Sequence, residues 1–317
     1  MKLVVAPLRV LDRYVSREFS AIIRELVDLH QWTHVEFWTL RQAGKSLSDT
    51  ILGLFDELPE AILFWEGYDF INAFARQIQA LDCRKAMFAD DLHEKSIVSR
   101  WSRLASYLTC DIVFPTYVDR FEEMFPEACR LVRVVWVPHS ASPEFLIARN
   151  ENAENAILLS GAVNDYYPLR QAMKALCDFG LYPIVYHPHP GYQSVYRHGD
   201  DPRVSFGYAR LLNRYRAAFT DSSRFGYLVA KFFEIPATGA LLLADRRAES
   251  SLRRLGFVAG EHYISTSFDD LEAQVRFILD ESNQPALDQI RRNAQMLVWE
   301  HHKTSDRCRV IDGTCVS

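Results

Sequence analysis

One acid in an otherwise apolar stretch, Glu234, has the position best suited to chemistry. It lies in residues 221–245, DSSRFGYLVAKFFEIPATGALLLAD, where an amphipathic helical pattern ends at Pro236 and Gly239 and the apolar strand pattern of residues 240–243 follows. A carboxylate beside a helix-to-strand turn in an α/β pattern is well placed to bind a polar ligand at a sheet edge. A surface glutamate near a helix end gives the same pattern, so spacing alone leaves both interpretations open.

A second group of reactive side chains follows the predicted strand of residues 85–88. Asp90, Asp91 and His93 come directly after it. Two acids and an imidazole are costly to bury at a strand tip without a function, which favours a role in acid–base chemistry. The alternative is that one of the two acids caps the start of a helix.

The histidines are concentrated in two short clusters, His187-Pro188-His189 and His301-His302. Neither has acidic or thiol partners at the spacing of metal ligands, so no metal site is predicted. His187 ends a predicted strand, and open α/β sheets bind ligands at that edge. We therefore interpret it as a ligand-facing group.

Two common nucleotide-binding motifs are incomplete. Gly44-Lys45-Ser46 resembles the end of a phosphate-binding loop, but Thr39 stands where the first glycine of that loop belongs. The first strand is followed by Pro7-Leu8-Arg9 rather than by a glycine-rich turn, which argues against a dinucleotide site of the Rossmann type.

The elements that would position these residues alternate along the chain. Continuous apolar strands followed by helices indicate parallel sheets covered on both faces. The pattern is interrupted by the proline-rich and polar residues 138–155, which we interpret as a linker between domains. The main predicted strands are residues 3–7, 34–39, 61–65, 85–88, 111–115, 132–137, 156–159, 182–186, 203–206, 217–220, 240–243 and 263–264; the predicted helices include residues 168–180, 208–216 and one last helix over residues 285–306.

Length and composition support this division. A chain of 317 residues exceeds the size of most single cores, and a hydrophobic content of 49% is enough for two. A formal net charge of -5 argues against non-specific binding of a nucleic-acid backbone. No apolar run reaches the length of a membrane span, and the six cysteines have no paired spacing, so we expect a cytoplasmic protein with reduced thiols.

Three segments together resemble a known family. They are FFEIPATGALLLAD, SFDDLEAQVRFILD and RRNAQMLVWEHHKTSDR, which cover roughly the last third of the chain; VPHSASPEFL and SGAVNDYYPLR match more loosely. The pattern resembles the C-terminal half of GT-B glycosyltransferases of the CgeB-like, family-1-like group. The resemblance implies two Rossmann-like parallel-sheet domains that face each other across a cleft, with a C-terminal helix that crosses back to the N-terminal domain. We expect an acceptor-side domain over residues 1–140, a nucleotide-sugar-binding domain over residues 141–300, and a returning segment over residues 301–317.

The function that this resemblance implies is the transfer of a sugar from a nucleotide donor, which we expect to be UDP-linked. The acceptor would be a glycan, a small molecule or a modified base, and neither a metal ion nor a cofactor is expected. In such enzymes a glutamate at the position of Glu234 binds the ribose hydroxyls, and a carboxylate can accept two hydrogen bonds from a vicinal diol. The chain departs from the better-known retaining pattern because Gly226 stands near the place of the second glutamate, which would face the donor sugar.

The same resemblance implies roles for further residues. On the acceptor side His93 would lie near the donor sugar, with Asp90 or Asp91 orienting it or acting as base. His139 in the linker would face the cleft, and main-chain groups around Gly207 and Tyr208 would meet the base. The diphosphate would be bound by residues from the first loop and helix of the C-terminal domain and from the start of the helix that carries Glu234, namely Arg170, Ser160, Gly161, Ser223, Arg224 and Lys231.

Three other functions remain open at this level. A sugar-nucleotide epimerase shares the architecture, and a degenerate relative would bind a glycan or nucleotide without catalysis. A transferase that acts on hydroxylated bases of DNA would need a local basic surface. Its candidates lie in the first loops: Arg9, Arg13, Arg17, Arg41 and Lys45.

Overall fold

The computed structural model describes residues 1–93, 99–191 and 201–316. Within these residues the chain divides into two compact units. The first comprises residues 1–12, 19–138 and 305–317, and the second comprises residues 13–18 and 139–304. The start of the helix predicted from residue 96 lies outside the described residues.

The first unit is built on a parallel sheet of six strands in the order β2-β1-β3-β4-β5-β6. All of its strand pairs are parallel. The strands are β1 (Lys2–Val5), β2 (Trp32–Val35), β3 (Ala61–Trp65), β4 (Arg84–Ala89), β5 (Ile112–Pro115) and β6 (Arg133–Val134). The helices are α1 (Leu8–Leu11), α2 (Glu18–His30), α3 (Phe37–Leu40), α4 (Leu47–Phe55), α5 (Tyr68–Ala73), α6 (Ala75–Gln79), α7 (Arg100–Thr109), α8 (Val118–Met124), α9 (Pro126–Leu131) and, at the end of the chain, α16 (Thr304–Val316).

The core of the first unit explains why these strands form. All five residues of β3 are buried, as a continuous apolar run in a parallel sheet requires. Trp65 and Phe88 stack on neighbouring strands with ring centroids 3.9 Å apart. Ile311 of α16 belongs to the same core, and Asp312 accepts hydrogen bonds from Lys2 and Trp32 in β1 and β2. The last helix is therefore an integral part of this unit.

The second unit has a parallel sheet of five strands in the order β11-β10-β9-β7-β8. The strands are β7 (Glu154–Gly161), β8 (Ile184–Pro188), β9 (Tyr215–Thr220), β10 (Leu241–Asp245) and β11 (Ile264–Thr266). The helices are α10 (Pro168–Phe179), α11 (Ser205–Arg214), α12 (Lys231–Ala237), α13 (Glu249–Arg254), α14 (Leu271–Leu279) and α15 (Gln284–His301). The prediction of two parallel α/β sheets is thus confirmed.

The turn after α12 needs a glycine for two reasons. Gly239 has a φ of +76°, a conformation that L side chains rarely adopt. A Cβ at this position would also lie 2.6 Å from Cβ of Arg149. Gly239 therefore lets α12 turn directly into the buried strand β10, as the sequence predicted.

Three predicted elements are wrong. The strand predicted over residues 34–39 ends at Val35, and the short apolar run after it forms α3, because a run of that length fits either structure. Residues 203–206 form no strand; α11 begins at Ser205. The helix predicted over residues 285–306 is two helices. The carbonyl of His302 accepts the main-chain N–H of Ala141 and not that of a residue further along the helix.

Candidate functional site

The sheet of the second unit has a topological switch point between β7 and β9. From β7 the chain forms β8 on one side and then returns to form β9 on the other. Open α/β sheets bind ligands outside the carboxyl ends of the two strands at such a point. Ser160 and Gly161 end β7, and Asp221 directly follows β9. Two predicted donor-site residues therefore lie where this fold binds ligands.

Arg170 is held at this edge by a buried ion pair. Its Nη2 lies 2.9 Å from Oδ1 of Asp221, and its main-chain N–H donates to Oδ2 at 3.0 Å. Its Nη1 donates to the carbonyl of Ala162 at 3.0 Å, and its guanidinium lies 3.9 Å from the ring centroid of Tyr167. Arg170 is 3% exposed and Asp221 is fully buried. Asp221 was not among the predicted site residues, although an acid directly after a predicted strand is the signal that would have found it.

Lys231, the first residue of α12, reaches back to the end of β7. Its Nζ donates to the carbonyl of Ser160 at 2.8 Å and to Oγ of Ser160 at 3.0 Å. The same hydroxyl lies 2.7 Å from the hydroxyl of Tyr208. Burial, together with the charge of Arg170, lowers the pKa of Lys231 from 10.5 to about 7. Hydrogen bonds thus position the ammonium, while burial and the charge of Arg170 favour the neutral amine.

Gly161 allows the two cations to approach the same main-chain segment. Its φ is +106°, and a Cβ on it would lie 2.8 Å from Nζ of Lys231 and 3.1 Å from Nη1 of Arg170. Two cations beside one backbone segment repel each other, and an anion placed between them removes that cost. The arrangement is therefore suited to a phosphate group, whose oxygens accept hydrogen bonds from both side chains.

Glu234 lies one helical turn after Lys231 in α12 and is 7% exposed. Within the described part of the chain its carboxylate accepts no hydrogen bond. Burial raises the pKa of Glu234 from 4.5 to about 7, and the positive charge of Lys231 opposes this rise. A buried carboxylate without hydrogen bonds is costly unless a ligand supplies donors.

Three buried residues, Glu18, His139 and Glu144, shift the pKa of Glu234 through their charges. Glu18 accepts hydrogen bonds from the main chain and the side chain of Ser140, at 2.5 and 2.8 Å, and its Oε2 lies 2.6 Å from Nδ1 of His139. Glu144 accepts a hydrogen bond from Ser205 at 3.3 Å. The carboxylates of Glu18 and Glu144 raise the pKa of Glu234 and His139 lowers it, after the larger effects of burial and Lys231. The predicted residue His139 therefore belongs to the surroundings of Glu234; Glu18 and Glu144 were missed because no local pattern sets them apart.

The two histidines of β8 and its end lie in different surroundings. Burial, with Arg214 and Arg203, lowers the pKa of His187. Burial, with Lys231 and Arg170 as the next contributions, lowers the pKa of His189 to about 4. The residue near the two cations is therefore His189, whereas the sequence pattern singled out His187. His187 lies in β8 and His189 directly follows it, and only the fold distinguishes their surroundings.

Gly207 and Tyr208 lie in the first turn of α11 and not in a loop after a strand. Their main-chain N–H groups both donate to the carbonyl of Val204, at 3.1 and 3.3 Å. The helix thus uses these two N–H groups, and the expected contact of the main chain with a base stays a prediction. Tyr208 contributes its hydroxyl to Ser160 instead.

Ser223 and Arg224 lie in the loop between β9 and α12. Ser223 has a φ of +56°, and its hydroxyl accepts the main-chain N–H of Phe225 at 3.2 Å. The guanidinium of Arg224 lies 4.4 Å from the ring centroid of Tyr166 and 5.0 Å from that of Phe225. Gly226 follows with a φ of +74°, and a Cβ there would meet no atom within 4 Å. Ser223 and Arg224 thus contact neighbouring aromatic residues. Gly226, near the place of the second glutamate, faces open space.

The predicted acid–base residues of the first unit lie together at the end of β4. Nδ1 of His93 is 3.4 Å from Oδ1 of Asp91. Asp90 and Asp91 also act on Glu66, which follows β3 and was missed although it, too, is an acid after a predicted strand. Burial first, and then these two carboxylates, raise the pKa of Glu66 from 4.5 to about 8. Arg103 donates a hydrogen bond to the carbonyl of Asp91 and fixes this tip of the sheet.

The profile of a family described as glycosyl transferase-like matches residues 170–312, less than half of the chain. The matched part includes Arg170, Asp221, Lys231 and Glu234. This part of the chain is therefore similar to that family. A comparison with curated proteins gives no match.

Solved structures of similar fold support the same architecture. An α-glucosyltransferase in complex with UDP-glucose and DNA is 11% identical with a TM-score of 0.61, over 99% of this chain and 98% of that one. Anabaena HepE in complex with UDP and glucose is 10% identical with a TM-score of 0.60, over 100% of both chains. The pneumococcal O-GlcNAc transferase GtfA, in complex with UDP and GlcNAc, is 12% identical with a TM-score of 0.51; the match covers 81% of this chain but only 56% of that chain. At these identities the comparisons show the fold, which is that of GT-B glycosyltransferases.

In residues 1–93, 99–191 and 201–316, no three histidine, cysteine or acidic side chains come together in a way that could hold a metal ion. No helix in these ranges combines the length and the apolar character needed to cross a membrane.

Proposed function

We propose that the protein transfers a sugar from a UDP-sugar to an acceptor hydroxyl, with the donor bound at the switch point of the second unit. The observation that carries this proposal is the position of Glu234, a buried carboxylate one helical turn from Lys231, which converges with Arg170 on Gly161. A nucleotide sugar offers a matching pair of groups, a ribose diol and a diphosphate. The UDP complexes of the similar structures support the choice of nucleotide.

The diol suits Glu234 because a carboxylate is an acceptor with two oxygens and a vicinal diol is a donor with two hydroxyls. Hydrogen bonds to an ionised group are stronger than those between neutral groups. Binding of the diol would therefore relieve the cost of burying this carboxylate.

Lys231 and Arg170 suit the diphosphate because they are cations and the diphosphate is the leaving group of sugar transfer. The bond between the anomeric carbon and the diphosphate oxygen breaks, that oxygen keeps the electron pair, and the acceptor oxygen forms the new bond to carbon. Positively charged donors already in place stabilise the charge that develops on the leaving oxygen. Because these side chains can supply that charge, we propose a transfer that requires no metal ion; activity that persists in excess EDTA would support this part.

The acceptor hydroxyl must lose its proton during the transfer. We propose that the group formed by Asp90, Asp91 and His93 accepts it, with Glu66 beside it. A base whose pKa lies near the working pH is the most effective in this role. A cytoplasmic location remains a prediction of the sequence alone.

The direct test is UDP binding to Glu234→Ala, measured by calorimetry. Loss of charge-assisted hydrogen bonds worth about 1.5–3 kcal/mol should weaken binding by at least about tenfold. Glu234→Gln should lie between the wild type and the alanine variant, because an amide keeps one acceptor oxygen but loses the charge. Glu261→Ala, which removes an exposed carboxylate of the same unit, is the matched control and should bind UDP like the wild type. Unchanged affinity in Glu234→Ala would refute the assignment.

A nucleotide-release assay separates the remaining alternatives. A transferase releases UDP as it glycosylates an acceptor, an epimerase converts the donor sugar with no acceptor present, and a non-catalytic relative binds UDP-sugar unchanged. Transfer to a DNA duplex that carries hydroxymethylated bases, but to no saccharide, would favour the DNA-modifying alternative.

A further inference from the structure

A cavity of about 460 Å³ lies within the first unit beside the carboxyl ends of β1 and β2. Its lining includes Arg9, Asp12, His34, Glu36 and Trp38. The first unit has its own switch point, because the chain forms β2 on one side of β1 and then β3 on the other. The cavity thus lies at the edge where an α/β sheet binds ligands, and its volume is within the usual range for small-molecule sites.

Trp38 offers this cavity a flat aromatic surface. The residue is 58% exposed, and the guanidinium of Arg9 lies 5.2 Å from its ring centroid. The face of an aromatic ring carries partial negative charge, which attracts C–H groups that are polarised by neighbouring oxygens. The apolar face of a pyranose ring presents C–H groups of this kind.

The polar groups around Trp38 have unused hydrogen-bonding capacity. Glu36 is 8% exposed; its Oε1 accepts the main-chain N–H of Arg9 at 3.0 Å, and its other carboxylate oxygen accepts no hydrogen bond from any residue that the structure describes. Within the same described ranges the guanidinium of Arg9 makes no hydrogen bond or ion pair. Nε2 of His34 lies 2.9 Å from the carbonyl of Ala6, which can only accept, so Nδ1 of the neutral ring is left as an acceptor.

These features select among ligand classes. An unpaired guanidinium next to free acceptor atoms suits hydroxyl groups, which both donate and accept hydrogen bonds. A phosphate or a nucleic-acid backbone is disfavoured, because the carboxylates of Asp12 and Glu36 line the same cavity. Arg17, one of the cations considered for DNA binding, is 5% exposed and is therefore not part of a basic surface.

We propose that this cavity binds the acceptor and that the acceptor is a neutral saccharide, which stacks on Trp38 and hydrogen-bonds to Arg9 and Glu36. The acceptor role rests on the proposed transferase function. The binding of a saccharide to the cavity does not depend on UDP and can be measured without it.

The test is binding of a panel of methyl glycosides and disaccharides to the full chain, measured by saturation-transfer NMR and calorimetry without nucleotide. At least one member should bind, and Trp38→Ala should weaken its binding by about tenfold or more, since tryptophan contacts commonly dominate binding sites. Glu36→Gln should also weaken binding, while its amide oxygen can still accept the N–H of Arg9 and preserve the fold.

Trp101→Ala is the matched control. Trp101 is 70% exposed in the same unit, and the guanidinium of Arg100 lies 5.1 Å from its ring, but Arg100 is already bonded to Glu127. Trp101→Ala should therefore bind the saccharide like the wild type. In transfer assays Trp38→Ala should raise the KM for the acceptor about tenfold and leave the KM for the UDP-sugar unchanged.

The outcomes distinguish this inference from the proposed function. If UDP binds in a manner that depends on Glu234 but no saccharide binds, or if Trp38→Ala binds it normally, the saccharide site is refuted and the donor site stands. If a DNA duplex with hydroxymethylated bases binds in a manner that depends on Trp38 and the saccharides do not, the class of acceptor is wrong. If UDP does not bind while a saccharide binds at Trp38, the donor assignment fails and the acceptor role fails with it.

Discussion

Each unit has a carboxyl group with a raised pKa, Glu66 directly after β3 and Glu234 in α12, but the neighbours of the two groups differ. In the second unit burial raises the pKa of Glu234 to about 7, while the cation of Lys231 favours its ionised form. In the first unit burial raises the pKa of Glu66 to about 8, and the carboxylates of Asp90 and Asp91 raise it further. The same fold therefore produces one edge of mixed charge and one edge where acids repel each other.

This difference indicates what each edge can do. Cations beside an ionisable acid suit a ligand that has both phosphates and hydroxyls, which is the chemistry of a nucleotide sugar. Burial and the neighbouring carboxylates raise the pKa of Glu66 to about 8, so the group titrates near neutral pH, and proton transfer is most effective there. This comparison is the ground on which we propose the donor for the second unit and proton transfer for the first.

The largest expected effect concerns the buried ion pair between Arg170 and Asp221. Arg170→Met leaves the fully buried Asp221 without its cation and should lower the free energy of unfolding of the second unit by about 3–5 kcal/mol. Urea unfolding measures this loss. Arg246→Met is the control, because its ion pair with Asp270 is largely exposed and should contribute no more than about 1 kcal/mol. Equal effects of the two substitutions would show that the Arg170 pair is not buried as described.

The next effect is the pH dependence of UDP binding. Glu234 must be ionised to accept two hydrogen bonds, and its pKa is raised to about 7, so affinity should fall as pH decreases below 7 and approach about tenfold per pH unit. Lys231 must be protonated to bind phosphate, and its pKa is lowered to about 7, so affinity should also fall as pH rises above 7. Calorimetry from pH 5 to 9 should therefore show a maximum near neutrality.

Two variants sharpen this prediction. Glu234→Gln should remove the acidic limb of the profile and keep the alkaline one, whereas Lys231→Met should do the reverse. A profile that keeps both limbs in either variant would assign the titration to other groups.

The last prediction concerns Glu66 and its acidic neighbours in the first unit. The folded state binds a proton on Glu66 more tightly than the unfolded state does, because the folded pKa is about 8 and the unfolded value is 4.5. Stability from this group is therefore fully present below pH 4.5 and is lost as pH rises through 8. Glu66→Gln should flatten the fall of Tm between pH 5 and pH 8.5, while Glu122→Gln, an exposed control on α8, should leave it unchanged. An unaltered slope in Glu66→Gln would mean that Glu66 is ionised throughout.

Much of the fold could be predicted because its signals are local. The buried strand β3 has the predicted bounds, and α10 begins at Pro168 and is followed by Gly180 with a φ of +67°, as its proline start and glycine stop indicated. The failures occurred where a short apolar run fits two structures, as at residues 37–40, or where a distant main chain intervenes, as Ala141 does at His302. The prediction of secondary structure fails there because the deciding contact lies outside the local sequence.

The candidate site divides in the same way. The acid in α12 and the acids after β4 follow from residue type and from position relative to a predicted strand, whereas the family resemblance implied the glycine at the end of β7. The partners of these residues do not: Asp221 pairs with Arg170, Lys231 reaches Ser160, and His189 rather than His187 lies near the cations. Each of these pairs joins elements that only the order of the strands in the sheet brings together.

The sequence by itself determined the two parallel α/β sheets, the location of Glu234 and the acids at the strand ends, because periodicity, proline and glycine act over a few residues. The tertiary structure decided that Glu234 is buried without hydrogen bonds from the described residues, that two cations converge on Gly161, and that Trp38 borders a cavity. These properties depend on which strands are neighbours and on how much water the packed side chains exclude, and no local pattern specifies either.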